Sequence, residues 1–146
     1  MRFLPYFLGI VAGFGLAAQI GMNSQLRRIL HNANQAALIS FLVGTFALIS
    51  LLVATRAELP SRETLATVPW WAWFGGLMGA FYVAISTVVA SDLGATSLLG
   101  LALLGQLTTA LLIDHYGWLG LPEHPITLTR LAGVGLLGAG VWMITR

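Results

Sequence analysis

Long apolar runs alternate with short polar or turn-forming stretches along the whole chain. A helix needs about 20 apolar residues to cross a bilayer, and an open sheet edge has no hydrogen-bond partners in lipid. The pattern therefore predicts an all-α integral membrane protein with five transmembrane helices, forming a single membrane domain over residues 1–146. The predicted spans are approximately residues 3–22, 35–55, 69–90, 95–113 and 126–145.

Polar and turn-forming residues mark the predicted ends of these spans. Asn34 is expected to cap the N-terminus of the second helix, and Pro69 to open the third at a position where its missing N–H costs nothing. The sequence SDLG (91–94) predicts a tight turn between the third and fourth spans. The sequence LPEHP (121–125) predicts a break before the fifth.

Composition agrees with this class of protein. Hydrophobic residues make up 58% of the chain and charged residues 8%, whereas a soluble domain typically carries about 25% charged residues. The N-terminal apolar run of about 20 residues is longer than the core of a signal peptide, so we expect it to be a retained first span. The absence of cysteine excludes disulfides and thiolate chemistry.

Enzymatic and nucleic-acid functions are not indicated. No catalytic motif or glycine-rich phosphate loop occurs, so we expect no enzyme activity, no cofactor and no metal site. The pI of about 9.7 comes from a net charge of only +2, and the arginines form no basic stripe that would bind nucleic acid.

The arginines are nearly balanced between the two predicted sides of the membrane. One side holds Arg2, Arg56, Arg62 and Arg130, and the other holds Arg27, Arg28 and Arg146. Four against three is a weak positive-inside bias, which leaves open a single orientation or dual topology. Anionic lipid headgroups are the expected partners of Arg27 and Arg28.

Polar residues inside the spans are the candidate lining of a substrate pathway, because each is costly in lipid without a partner. Gln19 and Asn23 lie one turn apart on the first helix, Ser86 lies in the third span, and Gln106 lies in the fourth. Asp114 follows Gln106 by two turns, about 12 Å along the helix, which places it near the interface.

Each of these residues also has a structural interpretation. Gln106 could instead make a structural hydrogen bond between helices. Asp114 could be an interfacial charge that pairs with His115 or with an arginine of the same loop. Small residues at four-residue spacing, such as Gly9, Gly13, Ala17 and Gly21, favour close packing of helices.

Several segments resemble the YdcZ-type family of the drug/metabolite transporter superfamily. The segments are SFLVGTFAL (40–48), WWAWFGGLMGAFYV (70–83), GQLTTALLIDHYGWLG (105–120) and RLAGVGLLGAGV (130–141), with QIGMNSQLRR (19–28) near the start. The resemblance implies a five-helix inner-membrane protein that exports small molecules. It also implies members with either orientation and members that act in pairs.

Together these observations lead to a small-molecule transporter of the plasma or bacterial inner membrane. Two copies, or one copy and a homologous five-helix partner, would form an inverted repeat with a shared cavity. The alternative is a non-transporting membrane subunit or assembly factor that binds a partner through its small-residue helix faces.

Overall fold

The computed structural model describes residues 3–146 and is helical, with no strand among those residues. Arg2, which entered the arginine count, lies outside the described residues. The five α-helices are α1 (Leu4–Leu30), α2 (Ala33–Ala54), α3 (Arg62–Ala66), α4 (Gly75–Tyr116) and α5 (Leu128–Ile144). Short 3₁₀ turns occupy Trp70–Phe74 and Trp118–Gly120. The predicted all-α class is thereby confirmed.

Within residues 3–146, three helical segments are long and apolar enough to cross a membrane. They are Leu4–Leu30, Ala33–Ala54 and Trp70–Tyr116, the last with 47 residues. The apolar helix Leu128–Ile144 has 17 residues, at the lower end of what a crossing requires.

Helix α1 continues eight residues beyond the predicted end of the first span. Arg27 and Arg28 lie in its last turn, where cations complement the negative end of the helix dipole. The predicted cap of the next helix was wrong by two residues. Asn32, in an extended conformation, accepts a hydrogen bond from the Gln35 N–H at 3.1 Å, and Asn34 already lies inside α2.

The connection between α2 and α4 contains a short helix that the apolar pattern did not predict. Ser61 caps α3 by accepting from the Thr64 N–H at 3.1 Å. Pro69 then precedes the 3₁₀ turn of Trp70–Phe74, and α4 begins only at Gly75. Pro69 therefore stands just before the helical segment and not in its first turn.

Gly94 interrupts α4. Its φ of 77° and ψ of 160° depart from helical values, while the rest of Gly75–Tyr116 remains helical. The break predicted at residues 91–94 is thus present, but it is confined to Gly94. This region of φ/ψ space is essentially restricted to glycine, which explains why the chain departs from the helix at this residue.

The chain divides into two compact units, residues up to Val88 and Val89–Arg146. The first unit buries Ile20, Ala36, Ala37 and Val83 together with the polar Asn23, Ser86 and Thr87. The second buries Leu98 and Val141, and Val141 packs so closely on Gly100 that an added Cβ would meet it at 3.2 Å. Large hydrophobic side chains are exposed along every long helix.

The glycines of α1 do not pack against the described chain. A Cβ added at Gly9, Gly13 or Gly21 would meet nothing within 4 Å. Among residues 3–146, the close packing predicted for this stripe is therefore absent, and this edge of α1 is open.

Candidate substrate pathway

A polar stripe runs along one face of α1 towards its C-terminus. Gln19, Asn23 and Arg27 follow at intervals of four residues, which places them on one face of the helix. Asn23 is 5% exposed, and Gln19 and Arg27 are half-buried. This stripe includes Gln19 and Asn23, the predicted pair, and extends it by an arginine.

Helix α4 contributes the hydroxyl groups of the first unit's interior. Ser86 donates its hydroxyl to the Val83 carbonyl at 3.0 Å, and Thr87 donates to the Ala84 carbonyl at 2.9 Å. Both hydroxyl protons are therefore committed to the helix backbone. The oxygen lone pairs remain, so these two side chains can offer only acceptors to a solute.

Arg27 joins α1 to α4 in the same unit. Its Nη1 donates to the Thr87 carbonyl oxygen at 3.4 Å, a long and partly buried hydrogen bond. A cation beside a helix carbonyl complements the partial negative charge of that oxygen. The contact places the charged end of the polar stripe against the helix segment that carries Ser86 and Thr87.

Ser24 adds a hydroxyl whose hydrogen-bonding capacity is unused. Its Oγ is buried, and among residues 3–146 it is the buried side-chain atom that lacks a partner. Buried hydroxyls without a partner are uncommon because the lost hydration is not compensated. A solute or a water molecule that accepts a hydrogen bond from Ser24 would compensate for the lost hydration.

Gln106 belongs to the second unit. Its side chain is exposed on α4, in the middle of an apolar run. It is also absent from the lining of the groove that contains Asp114. The structure thus separates Gln106 from Asp114, and an amide in this position would face hydrocarbon or another polypeptide.

Asp114 belongs to an ion pair. Its Oδ2 accepts from Arg130 Nη2 at 2.9 Å, and the two side chains are 27% and 38% exposed, respectively. The structural interpretation of Asp114 predicted a pairing with an arginine, and the arginine found lies in the first turn of α5. The pair lines a groove of about 380 Å³ whose other walls are Leu107, Ala110, Leu111, Gly133 and Val134.

The loop after α4 is fastened to the helix end by further hydrogen bonds. The His124 N–H donates to the Asp114 carbonyl at 2.7 Å, which satisfies one of the acceptors that a helix C-terminus leaves open. Arg130 Nη1 donates to the His124 carbonyl at 3.2 Å, and His115 Nδ1 accepts from the Ile126 N–H at 3.3 Å. Asp114 and His115 therefore help to hold the loop in place. The set of Asp114, His115, His124 and Arg130 is here called the loop clamp.

Sequence reasoning did not assign three residues that matter here. Arg27 was treated as a surface arginine, although its spacing of four residues from Asn23 places it on the polar stripe. Ser24 gave no signal, because a serine next to Asn23 resembles any interfacial residue. The choice of Arg130 as the partner of Asp114 was left open, because the two lie 16 residues apart.

Known proteins similar to this chain are also inner-membrane proteins. The family described as "Putative inner membrane exporter, YdcZ" matches residues 4–143. The "Inner membrane protein YdcZ" of Escherichia coli (strain K12) is 29% identical over 140 residues, which cover 94% of this chain and 91% of that protein. No solved structure matches the chain.

An all-helical chain with an apolar exterior and a few buried polar side chains is an integral membrane protein. This chain belongs to the YdcZ family of inner-membrane proteins, whose description is that of an exporter. Its place is therefore the inner membrane, within the lipid bilayer.

Proposed function

We propose that the chain is one half of a small-molecule exporter. Two copies, or this chain and a homologous partner, would sit in opposite orientations and enclose one pathway between them. The observation that carries the proposal is the burial of Asn23, Ser86 and Thr87 inside a chain with an apolar exterior. Polar groups inside a membrane domain are costly and typically mark a substrate path.

Five crossings would follow from the break in α4. The helix has 42 residues, which is about 63 Å at 1.5 Å per residue and twice the thickness of the hydrocarbon core. Division at Gly94 yields segments of about 28 and 33 Å, each suited to one crossing. Helices α1, α2 and α5 supply the other three.

A second subunit is supported by two features of the exterior. The Gln106 amide is exposed, and a polar group in hydrocarbon is expensive unless another helix satisfies it. The open glycine edge of α1 would let another helix approach closely. Inverted repeats with a site near the bilayer midplane are a common transporter architecture.

The solute would meet donors on α1 and acceptors on α4. Asn23 offers both kinds of group and Ser24 offers a donor, whereas Ser86 and Thr87 offer acceptors. Gln19 would extend this surface along α1, Gln106 would contribute from the partner-facing side, and Asp114 would stand near the mouth. A small polar or amphipathic molecule matches these groups.

Flux through proteoliposomes tests the proposal. The purified chain is reconstituted alone, and a panel of small labelled solutes is followed for wild type, Asn23→Leu and Asn34→Leu. Asn34 is exposed, so its change is the matched control for the same chemistry. We expect wild type and Asn34→Leu to move at least one solute and Asn23→Leu, still folded, to lose that flux.

Two outcomes would oppose the proposal. Equal flux in wild type and Asn23→Leu would remove Asn23 from the pathway. Absence of flux for every solute, combined with stable capture of a different membrane protein, would favour the alternative of a non-transporting subunit.

A further inference from the structure

The turn between α1 and α2 carries a concentrated positive charge. Arg27, Arg28 and His31 together line a pocket of about 380 Å³, here called the basic pocket. Arg28 and His31 are exposed, and Arg27 is half-buried. Arginine remains protonated in proteins, so two full positive charges adjoin this space at every physiological pH.

No carboxylate of the same unit lies near the basic pocket. The acidic residues of the first unit are Glu58 and Glu63, and both follow the far end of α2. Helix α2 has 22 residues, which separates its two ends by about 33 Å. Screening in salt removes most of an interaction over that distance, so these two carboxylates do not neutralise the pocket.

Helix dipoles do not cancel the charge either. The C-terminus of α1 contributes about half a negative charge, and the N-terminus of α2 contributes about half a positive charge. Only His31 and Asn32 separate these two helix ends, so their fields largely offset one another. The positive charge at this turn therefore comes from the guanidinium groups of Arg27 and Arg28.

The pocket is held in shape by its own connections. Arg27 is fixed against the Thr87 carbonyl, and Asn32 fixes the start of α2 through the Gln35 N–H. Between them, His31 has φ 54° and ψ 19°, the left-handed conformation that glycine adopts with less strain at a helix end. Histidine at this position places an imidazole beside two arginines at a cost to the backbone.

We propose that the basic pocket binds a phosphate group, with the headgroup of an anionic phospholipid as its source in the membrane and soluble phosphate as the alternative source of the same chemistry. Guanidinium groups bind phosphate oxygens through two parallel N–H donors. The His31 imidazole donates an N–H in either protonation state. Juxtamembrane arginines at a bilayer surface meet such headgroups directly.

Lipid binding by the purified, delipidated full chain tests this site. Phosphatidylglycerol and phosphatidylcholine are titrated separately, and retained lipid is measured by native mass spectrometry for wild type, Arg28→Gln and Arg62→Gln. Arg62 is an exposed arginine of α3 in the same unit and provides the matched control. We expect Arg28→Gln to weaken phosphatidylglycerol binding about fivefold and Arg62→Gln to leave it unchanged.

A second variant separates the contribution of the His31 imidazole to lipid binding from the effect of residue 31 on the stability of the turn. His31→Gly relieves the left-handed strain, so the delipidated variant should unfold at a higher temperature than wild type while it retains less phosphatidylglycerol. If the substitution instead disrupts the turn, both the unfolding temperature and the amount of retained phosphatidylglycerol should fall. Unchanged phosphatidylglycerol retention in this variant would contradict the role given to His31.

A further experiment tests soluble phosphate as the ligand of the basic pocket. Thermal unfolding is compared in phosphate and in chloride at matched ionic strength, without lipid. A stabilisation by phosphate that Arg28→Gln removes would assign the site to soluble phosphate, and selective phosphatidylglycerol binding would assign it to the membrane. The proposal is overturned if neither ligand responds to Arg28→Gln, or if Arg62→Gln weakens binding as much.

Discussion

Arg130, in the first turn of α5, holds the end of α4 to the loop that follows it, because its Nη2 contacts Asp114 Oδ2 at 2.9 Å and its Nη1 contacts the His124 carbonyl at 3.2 Å. Asp114 in turn accepts the His124 N–H on its own carbonyl. One carboxylate and one guanidinium therefore fasten the loop to the end of a helix, beside a groove that opens to the exterior.

The loop clamp predicts similar effects from its two charged members. Asp114→Asn and Arg130→Gln should each destabilise the protein by up to about 1 kcal/mol, because the pair is partly exposed and screened. Thermal unfolding and limited proteolysis at residues 121–126 measure this. Glu123→Gln, in the same loop but outside the clamp, should change neither quantity.

Flux distinguishes the clamp from a direct role of the carboxylate in transport. If Asp114 acts through the loop, Asp114→Asn and Arg130→Gln should reduce flux to the same extent. A much larger loss in Asp114→Asn, with equal stability, would mean that the carboxylate itself meets the solute.

Gly94 tests the break in α4. Its φ of 77° lies where side chains are strained, yet a Cβ there would meet nothing within 4 Å. Gly94→Ala should therefore destabilise by about 1–3 kcal/mol through the backbone alone. Gly105→Ala has equally open surroundings within the helix, so it should be neutral or stabilise by up to about 1 kcal/mol.

Equal thermal stability of the two alanine variants would contradict the assigned conformation of Gly94. A loss in both would indicate instead that the glycines of α4 pack against another polypeptide.

Apolar run length was sufficient to predict the helices, because lipid permits few other structures. The break at residues 91–94 was also predictable, since glycine is the residue that leaves a helix most readily. The cap at Asn32 was missed because Asn32 and Asn34 have the same chemistry, and only backbone geometry selects between them. The Ser61-capped helix was missed because a five-residue element has no apolar period.

The candidate site was less accessible to sequence reasoning. Run length does not set the rotation of a helix about its axis, so it could not tell that Asn23 is buried and Gln106 exposed. The pairing of Asp114 with Arg130 depends on how the intervening loop folds back, which no local pattern specifies.

We expect Gln106 to stabilise the association of two copies of the chain. Gln106→Leu should leave the folded chain as stable or more stable, because it removes an exposed amide from hydrocarbon. Association of copies should weaken by about 0.6–2 kcal/mol, as measured by dimerisation in detergent or bilayers. Gln25→Leu makes the same exchange at an exposed position of α1 and should not weaken association.

The arginine balance predicts dual topology. The chain contains no cysteine, so a single Leu59→Cys substitution creates a unique label site in the exposed loop after α2. A membrane-impermeant thiol reagent should label part of the population from each side, and removal of one arginine should shift the ratio. Labelling from one side alone that does not change when arginines are removed would contradict dual topology. An antiparallel pair would then require a homologous partner of opposite orientation.

The central claim is that two oppositely oriented copies share a pathway, and cross-linking of single-cysteine variants tests it most directly. Gln106 lies near the middle of the segment after Gly94, and Tyr116 lies at its end, about 15 Å away along the axis. In an antiparallel pair the two copies of residue 106 stay at the same depth, whereas the copies of residue 116 face opposite surfaces. A short bis-maleimide should therefore link Gln106→Cys into dimers and leave Tyr116→Cys monomeric; cross-linking of both variants, or of Tyr116→Cys alone, would contradict the account.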